Sequence, residues 1–338
     1  MKRTDLLVAG LAALTSVGCS DPPAFDHDVS GDVRPWTHEQ FDSPDDKFTF
    51  ALFSDLTGGE RERVFEIAVA QLALLRPELI MNVGDLIEGG TDDRDDLGNQ
   101  WDSFDERADR ARAPIFYVGG NHDLTGEVLQ SVWDERYGRR YYYFRYRDVL
   151  FLVLDTEDNT PERMQEIKEA REEAFRIIAS EGMEAFPNTE YASMPEQTAG
   201  NIGDEQAEYF RDVLAQNADV RWTFLFMHKA PWEREGEQNF ISIEEAMANS
   251  PYTVFHGHVH AFEYQERHGR DYIQLATTGG VQFPDRGRSM DHVTMVTVTG
   301  DNVDIAHVLL NGILDKTGHV PLGGDQVCFE SAICGEGT

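Results

Sequence analysis

Basic residues, cysteines and long apolar runs are all scarce in this sequence, and each shortage excludes a class of protein. The chain carries 29 Lys and Arg against 62 Asp and Glu, a formal net charge of −33. A surface of that sign repels nucleic acid and anionic lipid, so nucleic-acid binding through a basic patch is excluded. After the first 20 residues no apolar run is long enough to span a bilayer. The 338 residues suffice for one large domain or two small ones.

The amino-terminal segment has the layout of an export signal. A basic start at residues 1–3 precedes an apolar run from Leu6 to Leu14, and small residues then lead to Cys19. This order resembles a bacterial lipoprotein signal cleaved before Cys19, which would then carry lipid; an ordinary signal peptide is the alternative. We expect residues 1–19 to be a signal peptide and the protein to be exported and lipid-anchored to the bacterial cell envelope. Residues 20–46 are polar and rich in Asp and Pro, which predicts a flexible tether.

Two further cysteines stand in the carboxyl-terminal tail, residues 313–338. Cys328 and Cys334 are close in sequence, and disulfides persist in the oxidising compartments that exported chains reach. The spacing predicts a local disulfide, and two free thiols are the alternative. A zinc site is disfavoured because no other cysteine is available to complete it.

Apolar periodicity predicts strands that alternate with helices. Short apolar runs that predict buried strands occur at 48–53, 79–83, 115–118, 222–227 and 252–255. Helical spacing of apolar residues over 60–76 predicts a helix after the first of them. The alternation favours an α/β domain over residues 47–312. Within it, residues 157–200 are charged and weakly patterned, which predicts an insertion.

Polar side chains follow these five strands at the point where each strand ends. In open α/β sheets, ligands bind beyond the carboxyl ends of the strands. A chance scatter of Asp and His would not choose five strand ends. The residues concerned are Asp55, Asp85, Asn121, His228 and the pair His258 and His260.

The chemistry of these side chains favours a particular kind of metal. Carboxylate, amide and imidazole groups together suit a borderline divalent ion such as Mn, Fe or Zn. Six candidate ligands exceed the need of one tetrahedral ion, but they suit two ions that share a carboxylate. Such a pair, about 3.5–4 Å apart, can hold the oxygens of a phosphate ester. The sequence therefore predicts two divalent metal ions as cofactors and a small phosphate ester as substrate.

Several motifs, taken in order, resemble the calcineurin-like metallophosphoesterase family. They are Gly84-Asp85, the Gly-Gly-Asn-His-Asp run from Gly119 to Asp123, His228, and Gly257-His258-Val259-His260. The resemblance runs from about residue 48 to about residue 298. It implies a four-layer αββα sandwich, in which two central β-sheets are flanked by helices. It also implies hydrolysis of phosphate esters with metal-bound hydroxide as the nucleophile.

The resemblance gives each motif residue a role. One ion would be held by Asp55, Asp85 and His260, and the other by Asp85, Asn121, His228 and His258. Asp85 would thus bridge the two ions. His122 would act near the leaving oxygen as a general acid or charge stabiliser, and Asp123 would orient it.

The sequence departs from the family pattern at its first motif. The family has Asp-x-His there, and in this chain Thr57 follows Asp55 and Leu56 where a histidine ligand is expected. Threonine is a poor ligand for Zn or Fe, which predicts a weaker first site. The alternative is a non-catalytic scaffold of the same fold with a degenerate first metal site. An amidohydrolase or metallo-β-lactamase-like enzyme is disfavoured because the chain has no His-x-His-x-Asp-His run.

Four other polar residues near these motifs have open roles. His256 should face away from His258 if its strand continues, because strand side chains alternate. His292 precedes a predicted strand and is a lesser candidate for the pocket. Arg286 and Arg288 form a small basic island, which is either a solvated turn or a contact for substrate phosphate.

Overall fold

The computed structural model describes residues 25–39, 41 and 47–334. The strands of this part of the chain are β1 Phe25–His27, β2 Lys47–Phe53, β3 Leu79–Asn82, β4 Ile115–Phe116, β5 Tyr142–Tyr146, β6 Val149–Val153, β7 Trp222–Phe226, β8 Tyr252–His256, β9 Glu263–Arg267, β10 Arg270–Gln274, β11 His292–Thr299 and β12 Asn302–Leu309. The helices are α1 Val64–Leu75, α2 Arg94–Ala108, α3 Asn121–Leu124, α4 Glu127–Arg136, α5 Pro161–Glu181, α6 Glu190–Ser193, α7 Asp204–Gln216, α8 Asn239–Ala246 and α9 Ser331–Cys334. Among the described helices, none is long and apolar enough to cross a membrane.

Two mixed sheets form the centre of the molecule. One has the strand order β12-β11-β2-β3-β4, and the other has the order β1-β5-β6-β7-β8-β10-β9. Within the first sheet β2, β3 and β4 run parallel, and within the second β6, β7, β8 and β10 run parallel. Parallel neighbours end at the same edge of a sheet, so the residues that follow them are brought together.

Three apolar clusters separate four layers. Aromatic rings fill the space between the sheets, where Phe50 and Phe226 both contact Phe151, with ring centroids 5.3 and 6.0 Å apart. Helices α1, α2 and α4 cover the outer face of the first sheet. Helices α7 and α8 cover the outer face of the second. The predicted αββα sandwich is therefore confirmed.

The predicted elements recur with small shifts at their ends. The helix predicted over 60–76 spans Val64–Leu75, and the insertion predicted at 157–200 contains α5 and α6. The strand predicted at 115–118 is shorter, because only Ile115 and Phe116 pair with β3. The side chain of Asn82 accepts the N–H of Val118 at 3.0 Å, in place of a strand carbonyl. A side-chain acceptor of this kind cannot be seen in apolar periodicity.

Residues 25–39 of the predicted tether belong to the folded domain, so the prediction of a flexible tether is wrong for that stretch. Strand β1 pairs antiparallel with β5. Phe25 and Trp36 meet edge to face at 5.5 Å and both contact Phe116, at 6.0 and 5.6 Å. Two aromatic anchors therefore outweigh the polar composition of the segment.

Trp36→Ala should lower the free energy of unfolding by about 3–5 kcal/mol, the usual loss when a buried tryptophan is truncated. Only 5% of Trp36 is exposed. Equilibrium unfolding in guanidinium chloride measures the change. Val33→Ala, at a side chain 39% exposed in the same segment, is the control and should change stability by less than about 0.5 kcal/mol. Equal stabilities of the two variants would show that the segment contributes no packing.

The predicted disulfide is confirmed, since Cys328 and Cys334 are bonded. The tail that contains it packs on the domain. Phe329 is buried, and its carbonyl accepts from the N–H of Asp291 at 2.7 Å and from the side-chain amide of Gln282 at 3.0 Å. The disulfide therefore closes a short loop that includes Phe329, whose carbonyl is hydrogen-bonded to the domain.

Candidate metal centre

The six predicted ligands come together from the ends of strands in both sheets. The first sheet supplies the oxygen donors, and the second supplies the imidazoles. After β2, β3 and β4 come Asp55, Asp85 and Asn121; after β7 and β8 come His228, His258 and His260.

Their ligand atoms form two groups that share one carboxylate. In each group of three residues all ligand atoms lie within 4.8 Å of one another; the groups are Asp85, His228 and His258, and Asp55, Asp85 and His260. The amide oxygen of Asn121 lies 3.1 Å from Nε2 of His228 and so joins the first group. Asp85 is common to both groups, as the bridging role requires.

Each of the four histidines at this centre has one ring nitrogen fixed by a backbone carbonyl. The pairs are His228 Nδ1 with Val83 at 2.7 Å, His260 Nδ1 with Val281 at 2.5 Å, His258 Nε2 with Gln197 at 2.7 Å and His122 Nδ1 with Glu88 at 2.8 Å. A carbonyl can only accept, so the nitrogen beside it carries the hydrogen. The other nitrogen faces the centre, and its lone pair is available there whenever that nitrogen carries no proton.

The donor set and its spacing fit divalent metal ions. Nε2 of His228 lies 3.1 Å from Asp85 Oδ2, and Nε2 of His260 lies 3.5 Å from Asp55 Oδ1. Two ligands bound at about 2.0–2.2 Å to one ion stand roughly 3.0–3.5 Å apart in octahedral or tetrahedral coordination. The observed separations match that range, so the residues can hold the ions that the sequence predicts.

Electrostatics at the centre also favour cations. Burial lowers the pKa of His228, but the Asp85 carboxylate outweighs it and raises that pKa to about 9. Without a metal the pair thus holds a proton between an oxygen and a nitrogen. A divalent ion can take the place of that proton. Burial and the Lys229 ammonium lower the pKa of His258 well below its usual range, which keeps this imidazole neutral and able to bind metal.

The backbone is left-handed at four of the six ligands. The φ angles are 39° at Asp55, 57° at Asp85, 74° at His258 and 61° at His260. Non-glycine residues in this region cost on the order of 1 kcal/mol or more each, and such strain gathers at functional sites. Here the left-handed turns redirect the chain as it leaves a strand and bring the side chains inwards.

Two motif glycines make room for the carboxylates. A Cβ atom at Gly120 would collide with Oδ1 of Asp85, and one at Gly257 would collide with Oδ2 of Asp55. Close approach of backbone to these oxygens therefore requires glycine at both positions.

The sequence matches a protein-family model over most of the folded domain. The model for the calcineurin-like phosphoesterases matches residues 48–262, more than half of the chain. The chain belongs to the calcineurin-like phosphoesterase family. The matched span contains all six ligands and the whole insertion. No curated protein sequence matches the chain.

Solved structures share the fold of this phosphoesterase at low sequence identity. A dimetal phosphatase from Danio rerio is 15% identical, with a TM-score of 0.53 over 78% of this chain and 98% of that one. PhoD is 13% identical, with a TM-score of 0.52 over 82% and 69%. A purple acid phosphatase from yellow lupin (Lupinus luteus) seeds is 12% identical, with a TM-score of 0.50 over 77% and 51%. The likeness is one of fold.

The predicted catalytic residues, His122 and Asp123, are arranged differently from the prediction. The ring of His122 is held by the Glu88 carbonyl, so the expectation that Asp123 orients it is wrong. The Asp123 carboxylate instead accepts four backbone N–H groups, those of Asp85, Leu86, Ile87 and Gly120, at 2.8–3.1 Å. A carboxylate can gather several amides, and here it fixes the loop that carries Asp85. Asp123 is therefore a positioning residue.

Thr57 is buried, and its hydroxyl turns away from the metal centre. The hydroxyl donates to the carbonyls of Asp85 at 3.1 Å and Ile87 at 2.9 Å. Its oxygen is thus engaged with the backbone of the loop after β3. The first group of ligands consists of Asp55, Asp85 and His260 alone among the described residues.

We expect calorimetric titration of the metal-free protein to show one tight site and one weaker by roughly 10- to 100-fold, because one imidazole is missing. Thr57→His should reduce the difference in metal affinity between the two sites. Thr57→Val keeps the shape of the side chain but removes the hydroxyl, and it should leave both affinities unchanged. Two equally tight sites in the wild type would contradict this reading of Thr57.

The remaining candidates take separate places. His256 packs on Trp232 with ring centroids 5.1 Å apart, as strand alternation predicts. His292 is buried and accepts the N–H of Ala276 at 3.1 Å. It is not among the residues that line the cavity beside the metal centre. Arg288 pairs with Glu330 at 3.9 Å, whereas Arg286 lines the cavity above the metal centre.

Sequence reasoning missed one wall of this cavity, which has a volume of about 550 Å³. Its floor includes Asp85, His122 and His260, and one wall comes from the insertion. The insertion residues are Arg171, Phe175, Ile178, Met183, Phe186, Tyr191 and Gln197. The apolar residues of this set stand out within a charged segment, and they could have indicated this wall from the sequence.

Proposed function

We propose that this phosphoesterase hydrolyses phosphate esters with two divalent metal ions, Mn, Fe or Zn, which would be held by two groups of ligands that share Asp85. The observation that carries the proposal is the shared carboxylate between two compact groups of ligands at the floor of a cavity. When bound, two such ions lower the pKa of a water that attacks phosphorus and neutralise charge on the phosphate oxygens.

The side chains around the ions have distinct tasks in this proposal. Asp55, Asp85 and His260 would hold the first ion, and Asp85, Asn121, His228 and His258 would hold the second. The Glu88 carbonyl fixes Nδ1 of His122 and directs Nε2 at the cavity, where Nε2, once protonated, would pass its proton to the leaving oxygen. The four amides gathered by Asp123 keep the bridging carboxylate in place.

Turnover with restored metal tests the proposal. Metal-free protein is reconstituted with Mn, Fe, Zn or Mg, and hydrolysis of p-nitrophenyl phosphate and bis-p-nitrophenyl phosphate is followed. We expect activity that requires added metal and rises with the second equivalent. A preference for one of the two compounds distinguishes a monoesterase from a diesterase.

A non-catalytic scaffold with a degenerate first site is the alternative, and the orientation of Thr57 is the feature that favours it. The convergence of the other ligands with His122 favours catalysis. Protein that binds both ions but hydrolyses neither ester under any metal would contradict the proposed function and support the scaffold.

We also propose export with a lipid on Cys19, which lies outside the described residues. The basic start, the apolar run and the Gly18-Cys19 pair support it. Wild-type protein should fractionate with the cell envelope, whereas Cys19→Ala protein should be released and keep its hydrolase activity. Wild-type protein recovered in the soluble fraction would contradict lipidation.

A further inference from the structure

Arg171 is a largely buried cation that has no acidic partner within residues 25–39, 41 and 47–334. Only 6% of the residue is exposed. Among the described residues none forms an ion pair or hydrogen bond with its guanidinium, which lies 5.0 Å from the ring of Phe175. The formal net charge is −33, so a buried arginine without a carboxylate is unusual here. Buried charges are normally paired, which points to an anion supplied from outside.

The position of Arg171 identifies where that anion would lie. Arg171 lines the same cavity as His122 and the bridging Asp85. A phosphoryl group at the metal centre therefore lies within the field of Arg171, whose planar fork suits phosphate oxygens.

The rest of the wall is apolar and partly uncovered. Phe175, Ile178, Met183, Phe186 and Tyr191 line it, and Phe283 faces the cavity from the loop before β11. Phe175 is 48% exposed and Met183 is 59% exposed. Large apolar side chains exposed together at a cavity usually mark a surface that a ligand covers.

The insertion is fixed to the domain rather than loosely attached. Lys168 of α5 pairs with Asp92 at 2.9 Å. Near the end of the insertion Glu196 accepts from Arg163 at 2.7 Å and from Arg234, which follows the ligand His228, at 2.8 Å. The carbonyl of Gln197 holds the ligand His258. The wall therefore keeps a set position over the metal centre.

We propose that the substrate is a phosphate ester of an apolar alcohol, alkyl or aryl, with Arg171 binding the phosphoryl oxygens and the insertion covering the organic part. This inference rests on the proposed hydrolysis. With the phosphoryl group at the metal centre, the organic group would lie against the apolar side chains of the cavity, which include Phe175 and Phe283. Its burial there supplies binding free energy that a polar alcohol would lack.

Phosphonates test the inference apart from turnover, because their carbon–phosphorus bond resists hydrolysis. Calorimetry measures the binding of methyl-, butyl-, hexyl- and phenylphosphonate to the manganese-loaded protein. We expect Kd to fall about fourfold for each methylene that becomes buried, so that hexylphosphonate binds at least about tenfold more tightly than methylphosphonate.

Variants separate the two parts of the proposal. Arg171→Gln should weaken all four phosphonates by a similar factor, roughly 10- to 100-fold, without loss of metal, and Arg171→Lys should recover part of that. Phe175→Ser and Met183→Ser should both reduce the gain with chain length. Met183→Ser should leave methylphosphonate binding unchanged, whereas Phe175→Ser also removes the ring beside the Arg171 guanidinium. Leu74→Ser, at an apolar side chain 50% exposed outside the cavity, is the matched control and should change nothing.

The results distinguish this inference from the proposed function. Equal affinity for all four phosphonates in the wild type, or no loss in Arg171→Gln, would overturn the inference even if esters are hydrolysed. A chain-length effect that depends on Phe175 would support it. If that effect appears but no ester is hydrolysed with any metal, the assigned ligand stands and the hydrolytic function fails.

Discussion

Asp85→Asn is expected to lower kcat/KM by about a thousandfold or more and to leave the protein unable to hold two metal ions. Asp85 is the residue common to both groups of ligand atoms. The amide keeps the size of the side chain but removes the negative charge that the two ions would share. Bound metal ions stabilise the charge of the transition state by several kcal/mol, and about 1.4 kcal/mol corresponds to a factor of ten in rate.

The experiment combines metal analysis with kinetics. Metal content should fall from two equivalents to one or none, and activity should not return with excess metal. Asp155→Asn is the matched control, because Asp155 is also buried just after a strand but faces Arg140 at 3.4 Å. Burial raises the pKa of Asp155 to about 7, so a neutral amide should be tolerated there. Two tightly bound ions in Asp85→Asn would contradict the bridging role.

His122→Ala should lower kcat by about 10²–10⁴, the range for loss of a general acid, and should keep its metal. Within the described structure His122 donates through Nδ1 to the Glu88 carbonyl and directs Nε2 to the cavity. Burial lowers its pKa to about 4, against the opposing influence of Asp85, so near neutral pH the ring is uncharged and Nε2 must take up a proton before it can give one to the leaving oxygen.

The identity of the leaving group sharpens this test. Hydrolysis of an alkyl phosphate expels an alkoxide, a strong base that must be protonated as it leaves. Hydrolysis of p-nitrophenyl phosphate expels p-nitrophenolate, a weak base that needs no proton. The loss in His122→Ala should therefore be large for hexyl phosphate and small for p-nitrophenyl phosphate. An equal loss for both would assign His122 to charge stabilisation at phosphorus, and loss of metal would make it a ligand.

The ligands could be predicted from sequence because each follows a buried strand. Strands such as 79–83 are apolar runs with clear ends, and parallel strands bring their ends together. The order of Asp85, Asn121 and His228 along the chain then identifies the family. What periodicity does not contain is backbone handedness, and the left-handed φ of Asp85 appears only in the structure.

The rest of the site depends on contacts between distant segments. The groups that orient the histidines are backbone carbonyls, such as those of Glu88 and Gln197, and any residue type can supply them. Arg171 lies among charged residues in α5, so only its burial separates it from solvated neighbours. The segment containing Phe25 is polar overall, and its packing becomes visible only with β5 in place.

The division of ligands between the sheets has a mechanical consequence. Oxygen donors come from one sheet and imidazoles from the other, so each bound ion would be bonded to both layers of the sandwich. The pair would act as two cross-links at one end, in addition to the apolar packing between the layers and hydrogen bonds such as that from His228 Nδ1 to the Val83 carbonyl. Sliding of one sheet over the other would then require metal–ligand bonds to break. The holoprotein should therefore begin to open at the end of the sandwich furthest from the metals, and the metal-free protein at the centre itself.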